Sequence, residues 1–223
     1  MTRDDTLGDD FGRALVTQLR DALGGAADAL GDLDRRAGDG DFGTNVRTAL
    51  KLLDASVEAE RPGTDREWLT ALSRAWLGVG GTSGPLFGMF FRDLAKAADE
   101  EAAPTLGRFA EALAAGEATI QKYGEAQVGD KTMIDALDPA VNALREAVDA
   151  GRGPVEALAA AEQAAVDGAR ATAETTARRG RASYVGDASK GVIDPGAAAM
   201  ALAIGAAHAA VAGESGVDTS WVS

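Results

Sequence analysis

The sequence predicts an all-α protein of about eight antiparallel helices, and three observations carry that prediction. Apolar residues make up 46% of the chain but aromatics only 5%, so the hydrophobic content is mostly alanine and leucine, which favour helices and close helix packing. Those residues recur at intervals of three and four over long stretches, the spacing that lines up one face of a helix. No period-2 apolar run of useful length and no internal repeat interrupts them, so no sheet is required.

Phe11, Leu15, Leu19 and Leu23 form the stripe of a long opening helix, which Ala26, Ala27, Leu30 and Leu33 continue past Gly24 and Gly25. LDRRAGDGDFGTN then breaks the periodicity before a helix carrying Val46, Leu50 and Leu53. Thr64, Asp65, Arg66 and Glu67 fit a capping box that opens a helix bearing Leu69, Leu72 and Trp76 and ending near Gly78. GVGGTSG makes a second glycine-rich break before a stretch through Phe87, Phe90, Phe91 and Leu94. Further helices are expected from 106 to 122, from 131 to 148, from 154 to 178 with Pro154 in its first turn, and from 195 to 211. The length suits a single domain over 1–223, with 1–8 and 214–223 expected as flexible ends.

A net charge of −13 repels phosphate backbones and anionic headgroups, and the 22 Lys and Arg are scattered, so neither a nucleic-acid nor a membrane partner is expected. Arg178, Arg179 and Arg181 are the densest basic cluster. The absence of cysteine excludes a disulfide framework, a zinc-thiolate site and a thiol nucleophile. With an acidic start, MTRDDTLGDDF, and no run of about 18 apolar residues expected anywhere, a cytoplasmic location is expected.

Asp34, Asp39 and Asp41 carry the candidate chemistry. Gly38 and Gly40 flank the middle aspartate, so a sharply turning backbone brings three hard oxygen donors toward one point, which suits magnesium held by a few carboxylates, water and substrate phosphates. Alone, the trio reads equally well as ordinary loop aspartates. Gly80, Gly81, Thr82, Ser83 and Gly84 precede a helix and offer backbone amides and two hydroxyls to a phosphate, although a simple glycine-rich loop looks the same. GEAQVGDKT at 124–132 approaches the G-x-x-x-x-G-K-[ST] phosphate loop, but Asp130 is inserted before Lys131 and no strand precedes it, so it is a decoy. Asp194 reads as an N-cap with Pro195 at the first helical position. His208, the only histidine, reads as a partly buried structural residue.

LDRRAGDGDFGTN, GGTSGPLFGMFF, GDKTMIDAL, GRASYVGDASKG and DPGAA together, in this order and over most of the chain, resemble the nucleotide-binding L subunit of the dihydroxyacetone kinase family. The resemblance implies an eight-helix barrel with the nucleotide at one end. It further implies that Asp34, Asp39 and Asp41 hold two Mg2+ ions on ADP or ATP. Gly43, Thr44, Asn45, Thr82 and Ser83 would surround the phosphates and ribose, and Gly124, Met133, Arg181, Asp194, Pro195 and Gly196 would complete the pocket. Phe42 stands where many relatives have histidine. The implied activity is that of a kinase subunit passing phosphate to dihydroxyacetone, or a related keto-sugar, held on a separate K subunit, with no acceptor-activating catalytic residue on this chain. The donor is either ATP or a phosphocarrier M subunit that recharges retained ADP. An ADP-binding sensor that contacts a transcription regulator is the alternative. A related fatty-acid kinase family shares the fold, but its signature is not matched.

Overall fold

The computed structural model describes residues 5–98, 103–180, 183 and 189–222. Eight α-helices account for the architecture: α1 (Phe11–Ala37), α2 (Phe42–Glu60), α3 (Asp65–Leu77), α4 (Ser83–Ala97), α5 (Leu106–Gly124), α6 (Ile134–Asp149), α7 (Pro154–Ala171) and α8 (Pro195–Ala212). No strand occurs among the described residues; one isolated bridge joins Thr6 to Thr105.

Each helix packs against its neighbours in sequence, and α8 packs against both α7 and α1, which closes the ring. Short connections make most consecutive helices antiparallel, the long α7–α8 connection being the exception, and segments following α1, α3, α5 and α7 meet at one end. Local chemistry accounts for the buried stripe of α1 and for the start of α3. The stripe Phe11, Leu15, Leu19 and Leu23 is buried, and α1 runs uninterrupted through Gly24 and Gly25. At α3 the capping box forms as the sequence predicts: Thr64 Oγ1 accepts from the Glu67 amide at 3.3 Å, and Glu67 Oε2 accepts from the Thr64 amide at 3.1 Å.

α8 is apolar all round and fills the core, because α1, α6 and α7 pack around it. By length and composition it would also be long enough to cross a membrane, with a mean hydropathy of 1.5 over 18 residues. This corrects the expectation that no such run exists; His208 and two glycines disguise it in the sequence, and 78% of the helix is buried inside the fold. His208 pairs through Nδ1 with Glu162 Oε2 at 2.6 Å, the structural role expected of it.

Two helix limits differ from expectation. α6 starts at Ile134 rather than 131, because Lys131 has a left-handed backbone (φ 64°) and a buried side chain. α7 ends at Ala171 and tightens into a 3-10 turn over Thr172–Glu174 instead of running to 178. Both ends make some contacts with the ring, although most of their described residues are exposed. The Leu7 amide donates to the Pro104 carbonyl, Gln18 Nε2 donates to the Glu214 carbonyl, and Leu7 and Val222 are buried.

Candidate functional site

One cavity of about 370 Å3 opens at the end of the ring where the four loops meet. Its lining includes the starts of α2, α4, α6 and α8 and the ends of α1 and α5. This arrangement follows from the topology: in an up-and-down ring every even-numbered helix begins at the same end, so four amide-bearing N-termini and their partial positive charges surround one space.

The aspartate loop is built by α1 ending and α2 beginning within a few residues. Asp34, on the last turn of α1, is buried, and its Oδ2 accepts from the Phe42 amide at the start of α2, 2.9 Å away. Burial pushes the Asp34 carboxyl above its ordinary range; the Phe42 amide opposes this and the neighbouring Asp39 charge adds to it. A side chain at Gly38 would run into the Asp34 carboxylate, and Gly40 turns the chain with φ 81°. Asp39 Oδ1 accepts weakly from the Asp41 amide at 3.4 Å, while Asp41 occupies the N-cap of α2 without a side-chain cap bond.

Asp34, Asp39 and Asp41 all line the cavity, with Asn45 beside them on α2. Across from them lie Thr82 and Ser83 at the start of α4, where Thr82 makes no side-chain cap bond. That leaves amides and hydroxyls at a helix N-terminus directed to an anion. The apolar part of the lining comes from Leu86, Ile120, Ala126 and Met133, with Gly124, Pro195 and Gly196 also lining the cavity. Asp194 caps α8 by accepting from the Ala197 amide at 2.7 Å. Burial pushes its carboxyl up to about 7, against that amide and the Lys131 ammonium, which pull it down.

The donor set fits a hard divalent cation. Among the described residues no three acidic or histidine side chains are gathered tightly enough to enclose one ion. Magnesium does not require that: it keeps several waters and phosphate oxygens and takes one or two carboxylates per ion. A cation here would also offset the Asp39 charge that adds to the effect of burial on Asp34.

Of the residues named from sequence, Gly43 and Thr44 do not line the cavity. Gly43 lies where α2 crosses α1, and a Cβ there would sit 2.6 Å from the Ala27 carbonyl oxygen and 2.9 Å from the Gly31 Cα, so it serves helix contact. Thr44 is exposed on α2. Arg181 lies outside the described residues. Sequence reasoning missed Lys131, Arg179 and Gly180, which line the cavity. The basic run at 178–181 was the signal for Arg179, which pairs with Glu125 at 3.3 Å and Asp130 at 3.8 Å. Lys131 was hidden by its decoy motif; among the described residues no strand precedes it, and its Nζ binds carbonyls. Phe42 turns its ring into an aromatic cluster, 6.4 Å from Phe87, which lies 4.6 Å from Trp76.

A closed helical ring whose acidic loop and uncapped helix N-termini share one cavity defines an all-helical domain for a cation-bridged, phosphorylated ligand. The DAK2 domain family matches residues 36–209, and the chain belongs to that family. It is 38% identical over 174 residues to the ADP-binding subunit DhaL of a PEP-dependent dihydroxyacetone kinase of Listeria innocua, covering 78% of this chain and 82% of that subunit. It is 39% identical to an L-erythrulose 1-kinase of Mycolicibacterium smegmatis, covering 78% of this chain but only 30% of that enzyme. The crystal structure of the dihydroxyacetone kinase from C. freundii in complex with AMP-PNP and Mg2+ aligns with a TM-score of 0.68 and 27% identity, over 93% of this chain and 35% of that one. The chain therefore spans most of the separate subunit and about a third of the longer kinases.

Proposed function

We infer that the chain is the nucleotide-holding subunit of a dihydroxyacetone-type kinase, binding ADP or ATP with magnesium and working with a ketose-binding K subunit. The observation that carries this reading is the convergence of Asp34, Asp39 and Asp41 with the uncapped start of α4 on one cavity. The near full-length match to an ADP-binding subunit supports it.

In this reading the three aspartates hold the metal, which when bound supplies positive charge against the phosphate chain. Thr82, Ser83 and the first amides of α4 hold phosphate oxygens. Asn45, facing the same space from α2, completes the polar side, while Leu86, Ile120, Ala126 and Met133 receive the base. Arg181 is proposed to add a cation, and Gly124, Asp194, Pro195 and Gly196 to shape the wall. This chain's share of catalysis is positioning and charge compensation, and the acceptor comes from the partner. The location consistent with this role is the cytoplasm.

The PEP-dependent, ADP-binding relative is in line with a phosphocarrier M subunit that recharges retained ADP, and the kinase structure that holds AMP-PNP and Mg2+ is in line with direct use of ATP. The deciding experiment mixes the chain with a K subunit, dihydroxyacetone and either ATP or a phosphorylated carrier. Product from one donor identifies the mode. Absence of triose phosphate with both donors refutes the kinase reading and returns the ADP sensor contacting a transcription regulator, which no feature of the cavity favours.

A further inference from the structure

Lys131 is a buried cation that the reaction as described does not use. It is only 1% exposed, yet it belongs to the cavity lining. Its ammonium donates to the carbonyls of Thr172 at 2.5 Å, Val192 at 2.6 Å and Thr175 at 3.3 Å. An ammonium has three donors, so none remains for a phosphate. The lysine of the apparent phosphate loop therefore points away from the ligand.

The three carbonyls mark the two ends of the connection between α7 and α8. Thr172 and Thr175 lie where the chain leaves α7, at the negative end of its dipole, and Val192 lies where it returns to α8. Other bonds close the same neck: the Gly191 amide donates to the Ala173 carbonyl at 2.8 Å, and the Asp194 amide donates to Thr172 Oγ1 at 2.8 Å. Asp194 and Asp135 supply the charges facing the ammonium, and burial lowers its pKa against them. Asp135 is committed to the amides of Gly129 and Thr132, which tie the Lys131 loop to the start of α6.

We propose that Lys131 is a positioning residue for the nucleotide cavity, fastening both ends of the α7–α8 connection so that Arg179 and Gly180 on one side and Asp194 to Gly196 on the other keep their separation. It acts through the walls and touches no reacting atom. The inference rests on the nucleotide reading above. It adds that one buried ammonium, bonded to the backbone behind the wall, sets the fit of ligand to pocket.

The test compares Lys131→Met, Lys131→Arg and Thr172→Val with the wild-type chain by calorimetry with Mg-ADP, thermal melting without nucleotide, and transfer kinetics with the ketose-binding partner. Lys131→Met is expected to weaken Mg-ADP binding about tenfold or more. It should raise the nucleotide KM correspondingly while kcat at saturating nucleotide stays within about twofold. Lys131→Arg should recover much of the affinity, and Thr172→Val should lose less in the same direction. A folded Lys131→Met variant with wild-type affinity would overturn the inference. So would a collapse of kcat with KM unchanged, which would place the ammonium on the transferred phosphate. If Lys131→Met does not fold, wild-type Mg-ADP affinity in a folded Thr172→Val, which loses the Asp194 amide bond of the same neck, overturns it instead. A wild-type chain that fails to bind Mg-ADP removes the nucleotide reading itself, an outcome distinct from all of these.

Discussion

Replacing Gly43 with alanine tests whether the acidic loop is held in place by the crossing of α1 and α2. The added methyl would stand 2.6 Å from the Ala27 carbonyl oxygen, 2.9 Å from the Gly31 Cα and 3.2 Å from the Gly31 nitrogen, all backbone atoms of α1. None can rotate aside, so the helices must separate. Overpacking of this kind costs about 1–3 kcal/mol, and a rigid backbone neighbour places Gly43 at the upper end. The gain in helix propensity from glycine to alanine returns about 1 kcal/mol. A net loss of about 2 kcal/mol lowers the melting temperature by roughly 4–8 °C in a domain of this size. Gly25→Ala is the matched control, because its Cβ meets nothing within 4 Å in the same helix α1. It should gain about 1 kcal/mol and melt roughly 2–4 °C higher. Thermal denaturation followed by circular dichroism measures both. A Gly43→Ala variant as stable as the wild type, or moving in step with Gly25→Ala, would show that the helix crossing is not what requires glycine.

Asp39→Asn should leave the melting curve nearly unchanged and weaken Mg-ADP by about tenfold, the cost of one anionic ligand; unaltered calorimetric affinity would displace the metal site. Glu117 gives a pH test, since burial and then the Asp138 charge push its carboxyl up to about 7 from 4.5. The folded state holds that proton more tightly than the unfolded chain, so this stability is present below about pH 4.5 and lost as pH rises through 7. Glu117→Gln, unable to ionise, should match the wild type at pH 4.5 and exceed it above pH 8 by on the order of 1–3 kcal/mol; a pH-independent difference contradicts the assignment. Thr64→Ala removes the hydroxyl that accepts from the Glu67 amide and should cost about 1 kcal/mol in urea denaturation. No loss would mean the carboxylate half of the box suffices.

Local chemistry made much of this fold legible. Thr64 with Glu67 and Asp194 with Pro195 marked helix starts that the structure reproduces, since capping depends on a few adjacent residues. The residues at which reading failed are set by distant partners. Nothing near Lys131 in the sequence says that its ammonium will take carbonyls from Thr172 and Val192, and those bonds displace both the start of α6 and the end of α7. Gly43 resembles a loop glycine until α1 is seen passing within contact distance. Phe42 looks like a change in a polar motif, whereas Phe87 gives its ring an apolar neighbour. Residue type and spacing picked out the aspartate loop, family resemblance gave it a role, and the ring topology explains why motifs so far apart in sequence face one cavity.

The closing of the ring by α8 against α1 fixes the order in which this protein becomes competent. Asp34 ends the first helix, while Asp194 to Gly196 begin the last, and the cavity needs both. During synthesis the acidic loop emerges early and waits, with the apolar faces of α1 and α7 unsatisfied, until the alanine-rich helix arrives to fill the middle. Long-range closure of this kind is slow and entropically demanding, so it comes late in folding. In the nucleotide reading, ligand affinity would then report on completion: a chain stalled before α8 would own the three carboxylates but not the whole cavity they line.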